Sequence, residues 1–141
     1  MTFALDTNII SYLLRPSQNQ DVVQRFMEEN ERNNYVIPPM CYYETMWYLL
    51  KKRANVQLRI FNELYKNALL RINMSEEDFI KAAEIRAHLE EAGTPIGNND
   101  ADIFIAAYCI VNGYTLVTNN TGDFNRIGGL KIVNWKKQIT N

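Results

Sequence analysis

Short apolar runs alternate along this chain with longer segments in which apolar residues recur at helical spacing. The short runs predict buried strands, and the longer segments predict helices with one apolar face. The strands are predicted at residues 2–6, 35–38, 69–74 and 114–118, with a weaker fifth at 131–133. The helices are predicted at residues 9–14, 21–33, 39–53 and 56–68, then from 75 to about 93 and from about 100 to 112.

Residues with special backbone preferences mark the ends of these segments. Pro16 stops the first helix, and Pro39 suits the first position of another because no helical hydrogen bond is lost there. Residues 75–78, Ser-Glu-Glu-Asp, form a capping box. Residues 98–100, Asn-Asn-Asp, would cap the last long helix, and Gly113 would close it.

Strands that alternate with helices predict an α/β fold, because parallel strands need a crossover connection. We expect a three-layer α/β/α sandwich around a mostly parallel sheet of four to five strands. A chain of 141 residues is the size of one domain, and no linker, repeat or low-complexity segment divides it. Residues 1–141 are therefore predicted to form a single domain.

Composition and charge indicate the class of protein and its compartment, but not the reaction that it catalyses. The 47% hydrophobic and 22% charged residues are typical of a globular protein, and no apolar run approaches the length of a membrane helix. No export signal is visible, and Cys41 and Cys109 are predicted to be buried free thiols, which favours the cytoplasm. The net charge of −1 gives no general attraction to nucleic acid, but basic residues cluster between positions 51 and 71.

Four acidic residues follow or interrupt apolar runs: Asp6, Glu44, Asp102 and Asp123. A carboxylate that leaves water costs several kcal/mol or more unless it is paired or bound to metal. Few basic residues lie near these four in sequence, so we interpret them as ligands gathered around a cation. Hard oxygen ligands suit Mg²⁺ or Mn²⁺, and the set predicts a metal-dependent phosphodiesterase.

Simpler interpretations exist for Asp6, Asp102 and Asp123, whereas Glu44 lies on an apolar helix face where an exposed acid is not expected. Residues 6–8, Asp-Thr-Asn, would start a helix, although Thr7 or Asn8 is better placed than Asp6 to cap it. Either Asp100 or Asp102 would interact well with a helix N-terminus, and both share a face with apolar residues, so helical periodicity does not choose between them. Asp123 lies in a polar loop where aspartate is common.

Several motifs of the chain belong to one known pattern. It begins with Leu-Asp-Thr-Asn at residues 5–8, continues through Glu44 and through Ile-Arg-Ala-His-Leu-Glu at 85–90, and is dense at residues 93–97, 102–107, 116–121 and 124–135. With these motifs the sequence resembles the PIN-domain ribonucleases, and specifically the VapC toxins of prokaryotic toxin–antitoxin pairs. The family pattern D-x-x-I-A-A falls on Asp102, although some members carry their aspartate at the position of Asp100.

The resemblance implies a site and its partners. Asp6, Glu44, Asp102 and Asp123 would hold Mg²⁺ or Mn²⁺ and cleave RNA, with transfer RNA among the family's substrates. The supporting residues would be Thr7, Asn8, Asp100, Thr118 and Asn120. Arg86 either reaches inward from its helix toward the carboxylates or stays solvated, and its helical neighbours favour the solvated position. The basic residues Lys51, Lys52 and Arg53 are candidates for RNA binding.

The family also implies two protein partners. They are a small VapB-like antitoxin and a second copy of the chain in a homodimer. The helices predicted at 39–53 and 56–68 carry more apolar side chains than one core is expected to absorb, so they could form a groove for a helix of the antitoxin. The same side chains could instead belong to the core or face the second copy. The apolar candidates are Tyr42, Tyr43, Trp47, Tyr48, Leu49, Leu50, Ile60, Phe61, Leu64 and Tyr65.

Two alternatives to a ribonuclease follow from the same pattern. A haloacid-dehalogenase phosphatase also places an aspartate after its first strand, but it needs a second aspartate where this chain has Asn8. An interaction protein of PIN fold that has lost catalysis is the other, and the intact acidic set argues against it.

Overall fold

A parallel sheet of four strands forms the centre of the protein in a computed structural model that describes residues 1–96 and 100–138. The strands are β1 (Thr2–Leu5), β2 (Asn34–Val36), β3 (Thr115–Val117) and β4 (Ile132–Val133), in the order β2-β1-β3-β4. All three pairings are parallel. The predicted mostly parallel sheet is confirmed.

Seven α-helices connect and cover these strands within the described residues. They are α1 (Thr7–Leu13), α2 (Gln20–Asn30), α3 (Pro39–Lys51), α4 (Asn55–Lys66), α5 (Glu76–Glu91), α6 (Ala101–Asn112) and the short α7 (Thr121–Phe124). A short 3₁₀ helix at Pro16–Gln18 separates α1 from α2. None of the described helices is both long and apolar enough to cross a membrane.

The core lies on both faces of the sheet. Successive residues of a strand point to opposite faces, and in β1 the side chains of Phe3, Ala4 and Leu5 are all buried. Helices must therefore cover both faces, which gives the predicted three-layer α/β/α arrangement. The apolar helix α6 supplies much of one layer, with Ile105 and Ala106 almost fully buried.

Several local signals act as predicted. Pro39 stands at the start of α3. Ser75 and Asp78 form the capping box of α5, and Gly113 ends α6 in the left-handed conformation at φ +72°. Asp100 precedes α6 but makes no side-chain capping bond, and the other two proposed cap residues, 98 and 99, lie outside the described residues.

The predicted strand at residues 69–74 is wrong. This segment is irregular and meets the sheet through one backbone bond, from Leu69 N to Tyr35 O at 2.8 Å. The Arg71 guanidinium donates to the carbonyls of Lys66, the last residue of α4, and of Ala68, so this segment is held against the end of α4. Its apolar side chains therefore remain exposed, and Ile72 is 46% accessible.

Candidate active site

Two neighbouring strands bring the candidate residues to one edge of the sheet. Asp6 follows β1 and Thr118 follows β3, and these strands pair in parallel, so their carboxyl ends meet. The Asp6 amide continues the pairing by donating to Val117 O at 3.0 Å. Functional groups of open α/β sheets collect at this edge.

Asp6 is buried and held by several donors. Thr118 Oγ1 donates to it at 2.7 Å, Asn8 Nδ2 at 3.2 Å, the Thr7 amide at 2.8 Å and Cys41 Sγ at 3.6 Å. Burial nevertheless raises the pKa of Asp6, and these hydrogen bonds oppose the rise only in part. The expectation that Thr7 or Asn8 would cap α1 is wrong, because Asp6 itself accepts the first helical amide.

Glu44 approaches Asp6 from α3. Thr7 Oγ1 donates to Glu44 Oε1 at 3.0 Å, so one short segment holds both carboxylates. Partial burial raises the pKa of Glu44, and the negative charge of Asp6 adds to the effect. The Asp6 and Glu44 carboxylates therefore repel each other where both are at least partly shielded from solvent.

Asp102 completes the group from the first turn of α6. Burial raises its pKa to about 6, and the charges of Asp6, Glu44 and Asp123 contribute in that order. Asp100, two residues earlier, points elsewhere and pairs with Arg86 at 3.0 Å. The structure thus brings Asp102, and not Asp100, to Asp6 and Glu44.

Asp123 and Arg86 lie at the margin of this group. Asp123, on α7, forms an ion pair with Arg126 and accepts from Asn120 Nδ2 at 3.3 Å. Arg86 is exposed and binds Glu90 at 2.8 Å in addition to Asp100. Arg86 therefore does not reach inward to the three carboxylates.

The loop after β3 is held by a chain of polar contacts. Asn119 N donates to Asn8 Oδ1 at 3.1 Å, and Asn120 N donates to Thr118 Oγ1 at 2.9 Å. Asn134, just beyond β4, donates through Nδ2 to Asn119 Oδ1 at 3.0 Å. The segment after β4 thereby supports the residues that orient Asp6.

A cleft of about 560 Å³ opens above the carboxylates. Its lining combines polar and apolar side chains from α1, α3, α4 and α6 with four residues just outside the helices: Asp6 before α1, Leu14 and Arg15 after it, and Asn120 before α7. The lining residues are Asp6, Thr7, Asn8, Ser11, Leu14, Arg15, Glu44, Thr45, Trp47, Tyr48, Leu49, Gln57, Asp102 and Asn120.

Sequence reasoning missed some of these residues. Ser11 and Arg15 follow Asn8 at helical spacing, so the face that carries Asn8 could have identified them. Cys41 was expected to be buried, and it is, but no sequence signal indicated its contact with Asp6. Gln57 reaches the cleft from α4, and only the fold brings it there.

The basic candidates lie at the far end of α3. Lys51 Nζ lies 4.9 Å from the centre of the Trp47 ring, and Lys52 Nζ lies 5.9 Å from that of Tyr48. Arg53 adopts a positive φ of 52° between α3 and α4, a conformation uncommon for residues other than glycine. Lys51 and Lys52 thus flank the cleft through the aromatic rings that line it, and their role in RNA binding stays a prediction.

The apolar surface of α3 and α4 is smaller than predicted. Leu49 and Phe61 belong to the core, and Tyr42, Leu64 and Tyr65 are partly buried against it. The remaining side chains are substantially exposed: Tyr43, Trp47, Tyr48, Leu50 and Ile60.

The donor set fits a hard divalent cation in its chemistry. Asp6, Glu44 and Asp102 offer only carboxylate oxygens, and none of them has a lysine or arginine partner within the described part of the chain. Across residues 1–96 and 100–138, no three acidic, histidine or cysteine side chains converge closely enough to ligate one ion as they stand. The charges of Asp6 and Glu44 nevertheless contribute to the raised pKa of Asp102, so the three carboxylates interact. Their roles as metal ligands stay a prediction.

Known proteins resemble this chain over almost its whole length. Ribonuclease VapC2 from Rickettsia felis is 32% identical over 138 residues, which cover 97% of this chain and 100% of the relative. The tRNA(fMet)-specific endonuclease VapC from Shigella flexneri is 31% identical over 140 residues, covering 96% and 98%.

A solved structure gives the same picture of the fold. The structure of VapBC2 from Rickettsia felis bound to a DNA fragment from their promoter contains a chain that superimposes with a TM-score of 0.81. That chain is 28% identical, and the match covers 96% of this chain and 100% of that one. Residues 3–130 match the PIN domain family, so the chain belongs to the PIN-domain family.

Proposed function

We propose that this protein is a metal-dependent endoribonuclease and the toxin of a toxin–antitoxin pair, acting in the cytoplasm as a single catalytic domain. One observation carries the proposal: Asp6, Glu44 and Asp102 come from three separate elements and line one cleft. Burial raises the pKa of Asp102, and the negative charges of Asp6 and Glu44 raise it further, a repulsion that a bound divalent cation would relieve. The relatives named ribonuclease or endonuclease support the same reaction class.

In this mechanism Asp6, Glu44 and Asp102 would hold Mg²⁺ or Mn²⁺, and Asp123 would complete the acidic group. When bound, the ion would supply Lewis acidity to an attacking water and to the scissile phosphate. Thr118 and Asn8 fix the orientation of Asp6, and Thr7 fixes that of Glu44. The protein's own contribution is thus to hold the carboxylates in place before the substrate arrives.

RNA is the proposed substrate, and transfer RNA is the first to test. A relative 31% identical to this chain is named as a tRNA(fMet)-specific endonuclease. The cleft is open to solvent and is lined by the exposed rings of Trp47 and Tyr48, which suits an unpaired strand more than a stacked duplex.

A small antitoxin protein is the proposed inhibitor. The solved complex of VapBC2 supports a partner protein, and the exposed apolar side chains of α3 and α4 supply a surface for it. A basic side chain of that partner, placed in the cleft, would pair with the unpaired carboxylates and exclude the metal. A second copy of the chain would need a different surface for both to bind at once.

The test is cleavage of transfer RNA by the purified chain with Mg²⁺, with Mn²⁺ and with a chelator. Cleavage should need the metal and should be lost in Asp102→Asn. Glu84→Gln is the matched control, because Glu84 is an exposed acid on α5 paired with Lys81 and lies outside the cleft. Metal-independent cleavage, or full cleavage by Asp102→Asn, would overturn the proposal.

A further inference from the structure

The cleft has two unlike sides that lead away from the carboxylates. On α1 and just past its end, Ser11 and Arg15 form the α1 side. On α3, Trp47 and Tyr48 form the α3 side, three and four residues beyond Glu44 and hence on the same face of that helix. Helices α1 and α3 pack against each other, so the two sides belong to one opening.

Arg15 gives the α1 side its charge. It is the sole lysine or arginine among the described residues that line the cleft, and no acidic side chain in that part of the protein pairs with it. Its guanidinium donates to Ser11 Oγ at 3.0 Å, so the side chain folds back one turn toward Asp6. An arginine with free donors beside a group of carboxylates is suited to hold an anion next to them.

Trp47 gives the α3 side a stacking surface. The ring is 53% exposed although it lies against a cleft, and the Lys51 ammonium lies 4.9 Å from its centre. Tyr48 repeats the arrangement with Lys52 at 5.9 Å. Exposed aromatic rings accompanied by cations are typical of surfaces that stack the bases of a single strand and attract its phosphates.

We propose that the cleft holds one unpaired RNA strand between these sides, with Arg15 binding a phosphate that flanks the scissile one and Trp47 stacking on a nucleobase. The inference rests on the proposed function, since it names how that reaction's substrate is positioned. Arg15 and Trp47 are positioning residues in this scheme, because neither touches the reacting phosphate. Their contribution belongs to binding and to KM.

The two tryptophans of the chain allow a direct test without metal or cleavage. Trp135 is buried at 5% exposure and Trp47 is accessible, so a nucleobase can quench only the fluorescence of Trp47. A short single-stranded oligoadenylate in the presence of a chelator should quench the emission of the wild-type protein. The variant Trp47→Phe should show no quenching but should still bind, as followed by anisotropy of a labelled strand.

Two further variants separate the base contact from the phosphate contact. Trp47→Leu should weaken binding about tenfold without changing the dependence of affinity on salt. Arg15→Gln should weaken binding by a similar factor and should also lower the slope of log affinity against log salt by about one. The matched controls are Phe79→Leu and Arg25→Gln, an exposed ring on α5 and an exposed arginine on α2, and both should bind as the wild type does.

The outcomes are distinct from those of the cleavage assay. Binding without quenching, together with wild-type affinity in Trp47→Leu, would overturn the base contact, and loss of antitoxin binding alone in that variant would assign the ring to the protein partner. An unchanged salt slope in Arg15→Gln would overturn the phosphate contact. Quenching of Trp47 and a lowered salt slope in Arg15→Gln, without any metal-dependent cleavage, would support the two RNA contacts and reject the proposed function.

Discussion

Asp6 and Asp78 are both buried aspartates, yet their surroundings differ. Asp78 is 2% exposed and serves its own helix, accepting the Ser75 amide at 2.9 Å and a weak bond from Asn112 at 3.5 Å. Asp6 is 4% exposed and shares its surroundings with Glu44 and Asp102, which come from other elements. A buried acid is therefore no sign of a catalytic site by itself, and what distinguishes Asp6 is that acids from other elements share its surroundings.

Cleavage measured after neutralising each acid should show the largest difference between Asp6 and Asp78. Asp6→Asn, Glu44→Gln and Asp102→Asn should each lower RNA cleavage by more than about a hundredfold, because each removes a proposed metal ligand. Asp78→Asn should retain cleavage in the same assay at a temperature where it is folded. A loss of similar size in Asp78→Asn would remove the distinction between the two regions.

Replacement of Asp78 should affect stability rather than cleavage. Asp78→Ala removes half of the capping box and leaves buried donors unpaired, so the free energy of unfolding should fall by about 2 kcal/mol. The exposed neighbour Glu77 is the control, and Glu77→Ala should cost much less in urea unfolding. Equal losses in the two variants would mean that the cap contributes little.

The cleft acids should make the metal-free protein less stable as pH rises. Since the folded pKa of Asp102 is about 6 and its ordinary value is 3.8, the folded state binds a proton that the unfolded state has released between those values. The stability from this proton is complete below pH 3.8 and is lost as pH rises through about 6.

Asp102→Asn should therefore raise the free energy of unfolding of metal-free protein at neutral pH by about 1 to 2 kcal/mol, after allowance for solvent screening. The difference from wild type should disappear below about pH 4. Thermal unfolding at the two pH values measures it, with Asp21→Asn as a comparison whose pKa is lowered and whose replacement should not stabilise the fold. A gain that is independent of pH would exclude charge repulsion as its cause.

The smallest expected effects concern the margin of the acidic group. Asp123→Asn should lower cleavage about tenfold, since its charge acts on Asp102 while its side chain is already paired with Arg126. Asp100→Asn should have the mildest effect because Asp100 pairs with Arg86. Equal loss at Asp100 with no loss at Asp102 would show that the assignment is displaced by two residues.

Much of the fold could be predicted because its signals are local. Pro39, the capping box at residues 75–78 and Gly113 each fix a boundary through the backbone preference of the residues there. The strand predicted at residues 69–74 is absent because an apolar run becomes a strand only where it pairs along a sheet edge, and this segment is held instead against the end of α4 through Arg71. The order of the strands likewise depends on contacts between distant parts of the chain.

Some residues of the candidate site could be predicted from the sequence, and others are brought to the cleft only by the fold. Asp6, Glu44 and Asp102 stand out in the sequence because an acid next to an apolar run is costly, and the resemblance to PIN domains separated Asp102 from Asp100. Arg15 and Gln57 could not be predicted in this way, since an exposed polar residue near a helix end is ordinary in any sequence. The cap formed by Asp6 was misjudged because this residue lies between β1 and α1 and serves both: its amide extends the strand pairing, and its side chain caps the helix.

The hydrogen bonds of Asn134, just beyond β4, connect a residue outside the cleft to the candidate site. Asn134 is joined to Asp6 through three hydrogen bonds, by way of Asn119 and Asn8, although it lines no part of the cleft. Its substitution would loosen the orientation of Asp6 while leaving every proposed ligand in place. A graded series at Asn134 would therefore provide attenuated forms of the enzyme, with activity tuned from outside the site.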